Sequence, residues 1–162
     1  MRKKKIKFFF AIIIIIILIY NPFSARLMTL LTASFYELDP HIFYRQIKAE
    51  SSFKSLAYSR KGAIGLGQVM PETAGYINSK QSYFFLWFPP TNLMISAKYT
   101  KYLLKKYKKN WSLTLASYNW GETNVDKRIS NMKISQNSDY KKIFFDIPET
   151  YAFIEKILED SE

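Results

Sequence analysis

No cysteine occurs among the 162 residues, and there is a single histidine, His41. The first absence excludes disulfides, thiolate nucleophiles and cysteine-ligated zinc. The second excludes a multi-histidine metal centre, and any serine–histidine triad would have to use His41. No residue pattern calls for a metal or a cofactor. Acidic side chains are also scarce, 13 against 24 Lys and Arg, for a net charge of +11. Acid–base chemistry in this chain therefore falls mainly to a few carboxylates and to tyrosines. What is abundant is apolar: 48% of residues are hydrophobic and 17% aromatic, which sets the chain apart from disordered sequences. Its length suits one domain with a real core plus a short extra segment.

The positive charge is unevenly placed. Arg2, Lys3, Lys4, Lys5 and Lys7 precede the apolar run Phe8 to Tyr20, and 11 − 5 leaves +6 for the rest. Lys98, Lys101, Lys105 and Lys108 recur at helical spacing, the pattern of a solvated face. A zinc-finger, helix-turn-helix or RNA-recognition signature is missing, so nucleic acid is not an expected partner.

A basic start followed by an uncharged run is an export signal or a membrane anchor. Thirteen residues rise about 20 Å, short of a hydrocarbon core of about 30 Å. Phe23 and the Leu27 to Leu31 region are expected to extend the run. Cleavage after Ala25 or after Ser24 would put Phe23 or Pro22 at −3, where a small residue is needed, so retention as a signal anchor is favoured over release. The expected organisation is an anchor over 1–27, one helical domain over 28–158 and a tail over 159–162. The body then lies on the periplasmic face of the cytoplasmic membrane.

The body reads as helices, with no useful period-2 strands. Asp39 is an N-cap with Pro40 at N1, Pro71 and Pro148 open two more helices, and Gly121 ends another. The helix after Asp39 shows Phe43 and Ile47 on one face, and Glu50 continues that face at i+7. A carboxylate on a core-facing stripe is costly when ionised and tends to raise its pKa. A proton held near neutral pH is what a general acid needs. Taken singly, Glu50, Gln68, Tyr118 and Glu149 also have plain structural readings.

Their order is more informative. Glu50-Ser51-Ser52-Phe53 is followed by Ser59-x-x-Gly62-Ala63-x-Gly65-Leu66-x-Gln68-x-Met70-Pro71. Then come Ala116-Ser117-Tyr118-Asn119-x-Gly121 and Pro148-Glu149-Thr150-x-x-Phe153. Over about residues 34 to 158 this resembles the lytic transglycosylase (SLT) domain, which is similar in fold to goose-type lysozyme. The resemblance implies a mainly α, lysozyme-like helical domain with a substrate cleft, preceded here by an N-terminal apolar helix. It implies that Glu50 is the single catalytic acid/base. Ser59, Gln68 and Met70 would line the cleft, with Ser59 toward a sugar N-acetyl group. Tyr118 would help position that group, Asn119 and Gly121 would shape the adjoining turn, and Glu149 would bind substrate on the far side. The implied partner is the glycan strand of peptidoglycan, with a cell-envelope assembly or secretion complex as a further candidate.

Two positions depart from the family pattern. Gly67 stands where Met is usual, with an expected loss of helix propensity, and Trp120 replaces a small residue. Two rival readings remain. One is a goose-type hydrolase that activates water with a second carboxylate such as Asp126 or Asp139. The other is a membrane-tethered peptidoglycan-binding module.

Overall fold

The computed structural model describes residues 2–79 and 83–159. Eight α-helices lie in that part of the chain. They are α1 (Arg2–Tyr20), α2 (Pro22–Phe35), α3 (Pro40–Ser51), α4 (Pro71–Ile77), α5 (Pro89–Lys106), α6 (Trp111–Trp120), α7 (Glu122–Ile129) and α8 (Pro148–Leu158). Short 3-10 turns at Tyr83–Trp87 and Lys141–Phe144 fall between them. Among the described residues no strand forms; isolated bridges join Tyr58 to Ile64 and Ile64 to Val69.

All six prolines open helices α2, α3, α4, α5 and α8. Their missing N–H costs nothing there, because the first-turn donors have no helical partner anyway. Asp39 Oδ1 accepts from the backbone N–H groups of His41 and Ile42 at 2.9 and 3.0 Å. Gly121 closes α6 with φ +96°, and its N–H donates to the Ser117 carbonyl. On α8 the buried set is Thr150, Ile154 and Ile157.

Helix α5 is the spine. Leu93 and Ala97 face one cluster with Phe43, Ile47, Phe53, Leu66, Ala25 and Ala33. Ile95 faces a second with Ile64, Val69, Ala74 and Leu86, and Leu103 joins a third with residues of α6, α7 and α8. Two buried polar groups lock other segments onto this spine. Gln46 Nε2 donates to Thr100 Oγ1 at 3.1 Å, tying α3 to α5. Asn92 Nδ2 donates to the carbonyls of Ile64 and Leu86, while its Oδ1 accepts from Gly67 N–H. A buried amide with all three bonds made specifies one loop conformation, because the alternatives leave donors unpaired. Of the lysine stripe, Lys101, Lys105 and Lys108 are exposed and Lys98 is half-buried.

The domain join expected at 27/28 falls inside α2, whose Ala25 is fully buried in the core. The apolar run is not extended straight by Leu27 to Leu31 either. Among the described residues no single helix is long and apolar enough to cross a membrane, and Lys4–Tyr20 and Pro22–Phe35 pass that test only as a pair bent by 63°.

Candidate active site

Glu50 stands in the last turn of α3, which ends at Ser52 in the left-handed region (φ 51°). Phe43 and Ile47 are fully buried on the same face, so the stripe delivers the carboxyl to the edge of the core. Burial pushes its pKa up from 4.5 to about 8, with a further push from the negative charge of Glu149. The C-terminal end of a helix also disfavours an anion. Among the described residues no Lys or Arg forms an ion pair with Glu50.

Glu50 opens onto a groove of about 990 Å³, at the upper end of the roughly 300–1,000 Å³ of small-molecule sites. The loop 57–70, the end of α6 and the start of α8 form its other walls. All seven residues singled out in the sequence, Glu50, Ser59, Gln68, Met70, Tyr118, Asn119 and Glu149, line it. The loop wall is held by local bonds. Ser59 Oγ accepts from Ala63 N–H at 3.0 Å, which leaves the hydroxyl proton available to the groove. Gln68 Nε2 donates to the Gly65 carbonyl at 2.9 Å. On α6, the Tyr118 hydroxyl donates to the Gly67 carbonyl at 2.8 Å, and burial together with Glu50 raises its pKa. Asn119 Oδ1 accepts from Thr150 Oγ1 at 2.8 Å, joining α6 to α8. Glu149 lies exposed at the rim, 3.9 Å from Lys61.

Gly67 is a correction to the sequence reading. It sits in a turn, not a helix, so helix propensity is not at stake. A Cβ there would stand 1.9 Å from Ser96 Oγ, 2.8 Å from Ser96 Cβ and 3.1 Å from the Tyr118 hydroxyl. Glycine is present because there is no room. Trp120 lines the groove while its ring packs edge-on to Phe144 and under Arg128, 5.0 Å away.

The carboxylates considered for a hydrolytic route lie elsewhere. Asp126 accepts from Lys106 and Tyr107. Asp139 accepts from Lys141 N–H and Ser112 and lines a separate hollow of about 390 Å³. His41 is exposed at the start of α3 and is not among the lining residues. Tyr99 lines the groove unforeseen by the sequence. Its ring meets that of Tyr118 at 5.3 Å, and burial pushes its hydroxyl up to about 12. Its helical spacing from the buried Ile95 and Leu103 on α5 reads as ordinary core.

Comparison with known proteins settles the family. The model of the transglycosylase SLT domain matches residues 31–141. The chain belongs to this family. The chain is 35% identical over 83 residues to membrane-bound lytic murein transglycosylase E of Buchnera aphidicola (subsp. Acyrthosiphon pisum, strain APS), a match covering 47% of this chain and 38% of that protein. It is 33% identical over 93 residues to an Alteromonas sp. (strain M-1) protein named for tributyltin chloride resistance, covering 54% of this chain and 44% of the relative. The chain thus matches less than half the length of these curated relatives. In structure it superposes on an inactive mutant of the lytic transglycosylase Slt from Pseudomonas aeruginosa, with a TM-score of 0.73 and 24% identity. That match covers 87% of this chain and 24% of the other. The fold is the mainly helical, lysozyme-like SLT fold.

Proposed function

We propose that this SLT domain is a peptidoglycan lytic transglycosylase that cleaves the MurNAc–GlcNAc β-1,4 bond without water and leaves 1,6-anhydro-MurNAc ends. The observation that carries the reading is Glu50, a carboxyl kept protonated at neutral pH by burial, facing a groove large enough for sugars. Glycosidases of the two-carboxylate type need a second acid at fixed separation. Among the described residues one other carboxylate lines this groove, Glu149, and it is exposed and 3.9 Å from Lys61.

The chemistry follows from one residue acting twice. Glu50 donates its proton to the bridging oxygen as the C1–O bond breaks, and the neighbouring N-acetyl carbonyl oxygen bonds to C1. The Glu50 carboxylate then takes the proton of the MurNAc 6-hydroxyl, whose oxygen displaces the carbonyl from C1. The acid is regenerated and no water is consumed. Ser59 and Tyr118 hold the N-acetyl group, Gln68, Met70 and Asn119 shape the wall, and Glu149 binds substrate across the groove. The Pseudomonas Slt structure is that of an inactive glutamate-to-glutamine mutant, which agrees with a glutamate-dependent reaction.

The proposed organisation is a membrane-anchoring segment over 1–27, the catalytic domain over 28–158 and a tail over 159–162, of which only Glu159 lies among the described residues. The anchor is supported by the all-apolar surface of α1 behind its lysines, and one relative is named as membrane-bound. It places the groove on the periplasmic face. Purified sacculi digested with the full chain test the function. Anhydro ends that appear with the wild type and are lost in Glu50→Gln support the reading. Reducing ends that carry solvent oxygen would instead assign a goose-type hydrolase.

A further inference from the structure

Helix α2 has two unlike faces. Ala25, Thr29 and Ala33 are fully buried against α3 and α5. On the opposite side Phe23, Leu27, Leu30, Leu31 and Phe35 face outward, with Phe23 75% and Phe35 80% exposed. Twelve residues separate the first from the last, a strip of about 18 Å. The outer face of a helix in a water-soluble domain normally carries charge. Here the one charged residue is Arg26, whose guanidinium sits 5.5 Å over the Phe53 ring.

Two observations identify what covers this strip. The first is continuity with α1, which is apolar on all sides from Phe8 to Leu18 and exposed at each of these positions except the half-buried Ile13. The joint between the two is built rather than loose. Asn21 Oδ1 accepts from Ser24 N–H at 2.9 Å, and its Nδ2 donates to the Leu18 carbonyl at 2.7 Å. The second is length. Phe8 to Tyr20 rises about 20 Å, about 10 Å short of a hydrocarbon core. An apolar helix face lying at the headgroup boundary sinks about 5–10 Å, close to the missing length. The angle agrees too. With α1 tilted by 90 − 63 = 27° from the membrane normal, α2 lies flat in the membrane plane, and spanning helices commonly tilt by about 20°.

We propose that α2 is an interfacial helix whose outer face is embedded in the phospholipid surface, so that α1 and α2 form one bent anchor. The proposal rests on the anchor reading of α1. Because Ala25 and Ala33 share a core cluster with Phe43 and Ile47 of α3, α2 cannot swing relative to the helix that carries Glu50. The groove is thereby held at a fixed height and orientation over the membrane, rather than on a flexible tether.

The absence of native cysteine makes the test clean. The full chain is reconstituted in vesicles of phosphatidylcholine and phosphatidylglycerol with single substitutions Ile15→Cys, Leu27→Cys, Leu31→Cys or Lys108→Cys, each carrying a nitroxide label. Collision with oxygen and with a water-soluble nickel chelate then reports depth, and circular dichroism confirms that each variant is folded. Labels at Leu27 and Leu31 should favour oxygen over nickel at a shallow depth, with Ile15 deeper and Lys108 on the nickel side. If Leu27 and Leu31 read like Lys108, the proposal is overturned. Ile15 shows whether the anchor reading falls with it: a deep Ile15 label keeps α1 in the bilayer, and an aqueous one removes both. Low collision with both reagents together with dipolar broadening would mean that a second copy covers α2, which also overturns the proposal.

Discussion

The Tyr118 hydroxyl donates to the Gly67 carbonyl at 2.8 Å, across 51 positions of sequence. The N–H of the same glycine donates to Asn92 Oδ1 at 2.8 Å. One backbone unit therefore ties the groove loop to both α5 and α6, and it packs so closely on Ser96 that no side chain fits.

Gly67→Ala should lower stability by about 1–3 kcal/mol, the usual cost of overpacking, a fall of several degrees in Tm for a domain of this size. Ser96→Gly in the same chain removes the closest atoms and should restore part of the loss. Thermal melting of the single and double variants checks this. A Gly67→Ala variant that melts with the wild type would mean that the loop moves aside freely.

Glu50 holds its proton in the folded domain up to about pH 8, while in the unfolded chain the proton leaves near 4.5. Between those values the native state binds the extra proton, so Glu50 makes stability fall as pH rises through that window. Glu50→Gln removes this effect. It should melt like the wild type near pH 4 and several degrees higher at pH 7.5, a gain of about 1 kcal/mol or more, since each pKa unit is worth about 1.4 kcal/mol. Melting curves across pH decide it, and parallel curves for the two proteins would sink the assignment of a buried, protonated Glu50.

Under the proposed mechanism, activity depends on the same proton and also falls as pH rises. The donor must be protonated, so cleavage should decline as pH rises through about 8. Glu149 is the second cause of the raised pKa. In Glu149→Gln the charged form of Glu50 becomes easier to make, and the alkaline limb should move to lower pH by a fraction of a unit. Because Glu149 is exposed, added salt should move the wild-type limb the same way. A limb that stays put in both experiments would show that Glu149 does not act on Glu50 through charge.

Much of this domain was legible because its signals are local. Prolines at helix starts, the Asp39 cap and Gly121 act within one turn, and the Phe43–Ile47–Glu50 spacing needs only helix periodicity. Asn92 was not legible. It reads as a polar residue on an apolar helix face, and its partners Ile64 and Gly67 become visible only when the loop is folded back. The need for glycine at position 67 is hidden for the same reason, since its steric partner Ser96 is 29 positions away. The two faces of α2 are hidden by composition. Phe23 to Leu31 continues the apolar run of α1, and only the folded chain shows the small residues Ala25 and Ala33 packed inward while the large ones stay outside.

The aromatic segment after α4, residues 82–90, divides between core filling and an outward lip. Ser82 lies outside the described residues; from Tyr83 on, Leu86 is fully buried while Phe84 and Phe85 point outward, Phe84 at 74% exposure. Trp87 is half-buried and stacks on exposed Tyr58 at 5.8 Å, beside the groove residue Ser59. Exposed aromatic patches mark contact surfaces, and this one stands next to the loop that walls the groove. Phe84→Ser with Phe85→Ser should therefore leave Tm within a degree or two of the wild type while reducing co-sedimentation with purified sacculi several-fold. Leu86→Ala, by contrast, should cost about 2–5 kcal/mol, as for other buried leucines. If the double serine variant melts far below the wild type, both rings pack more than their exposure indicates. If it sediments with sacculi as the wild type does, the patch takes no part in holding glycan.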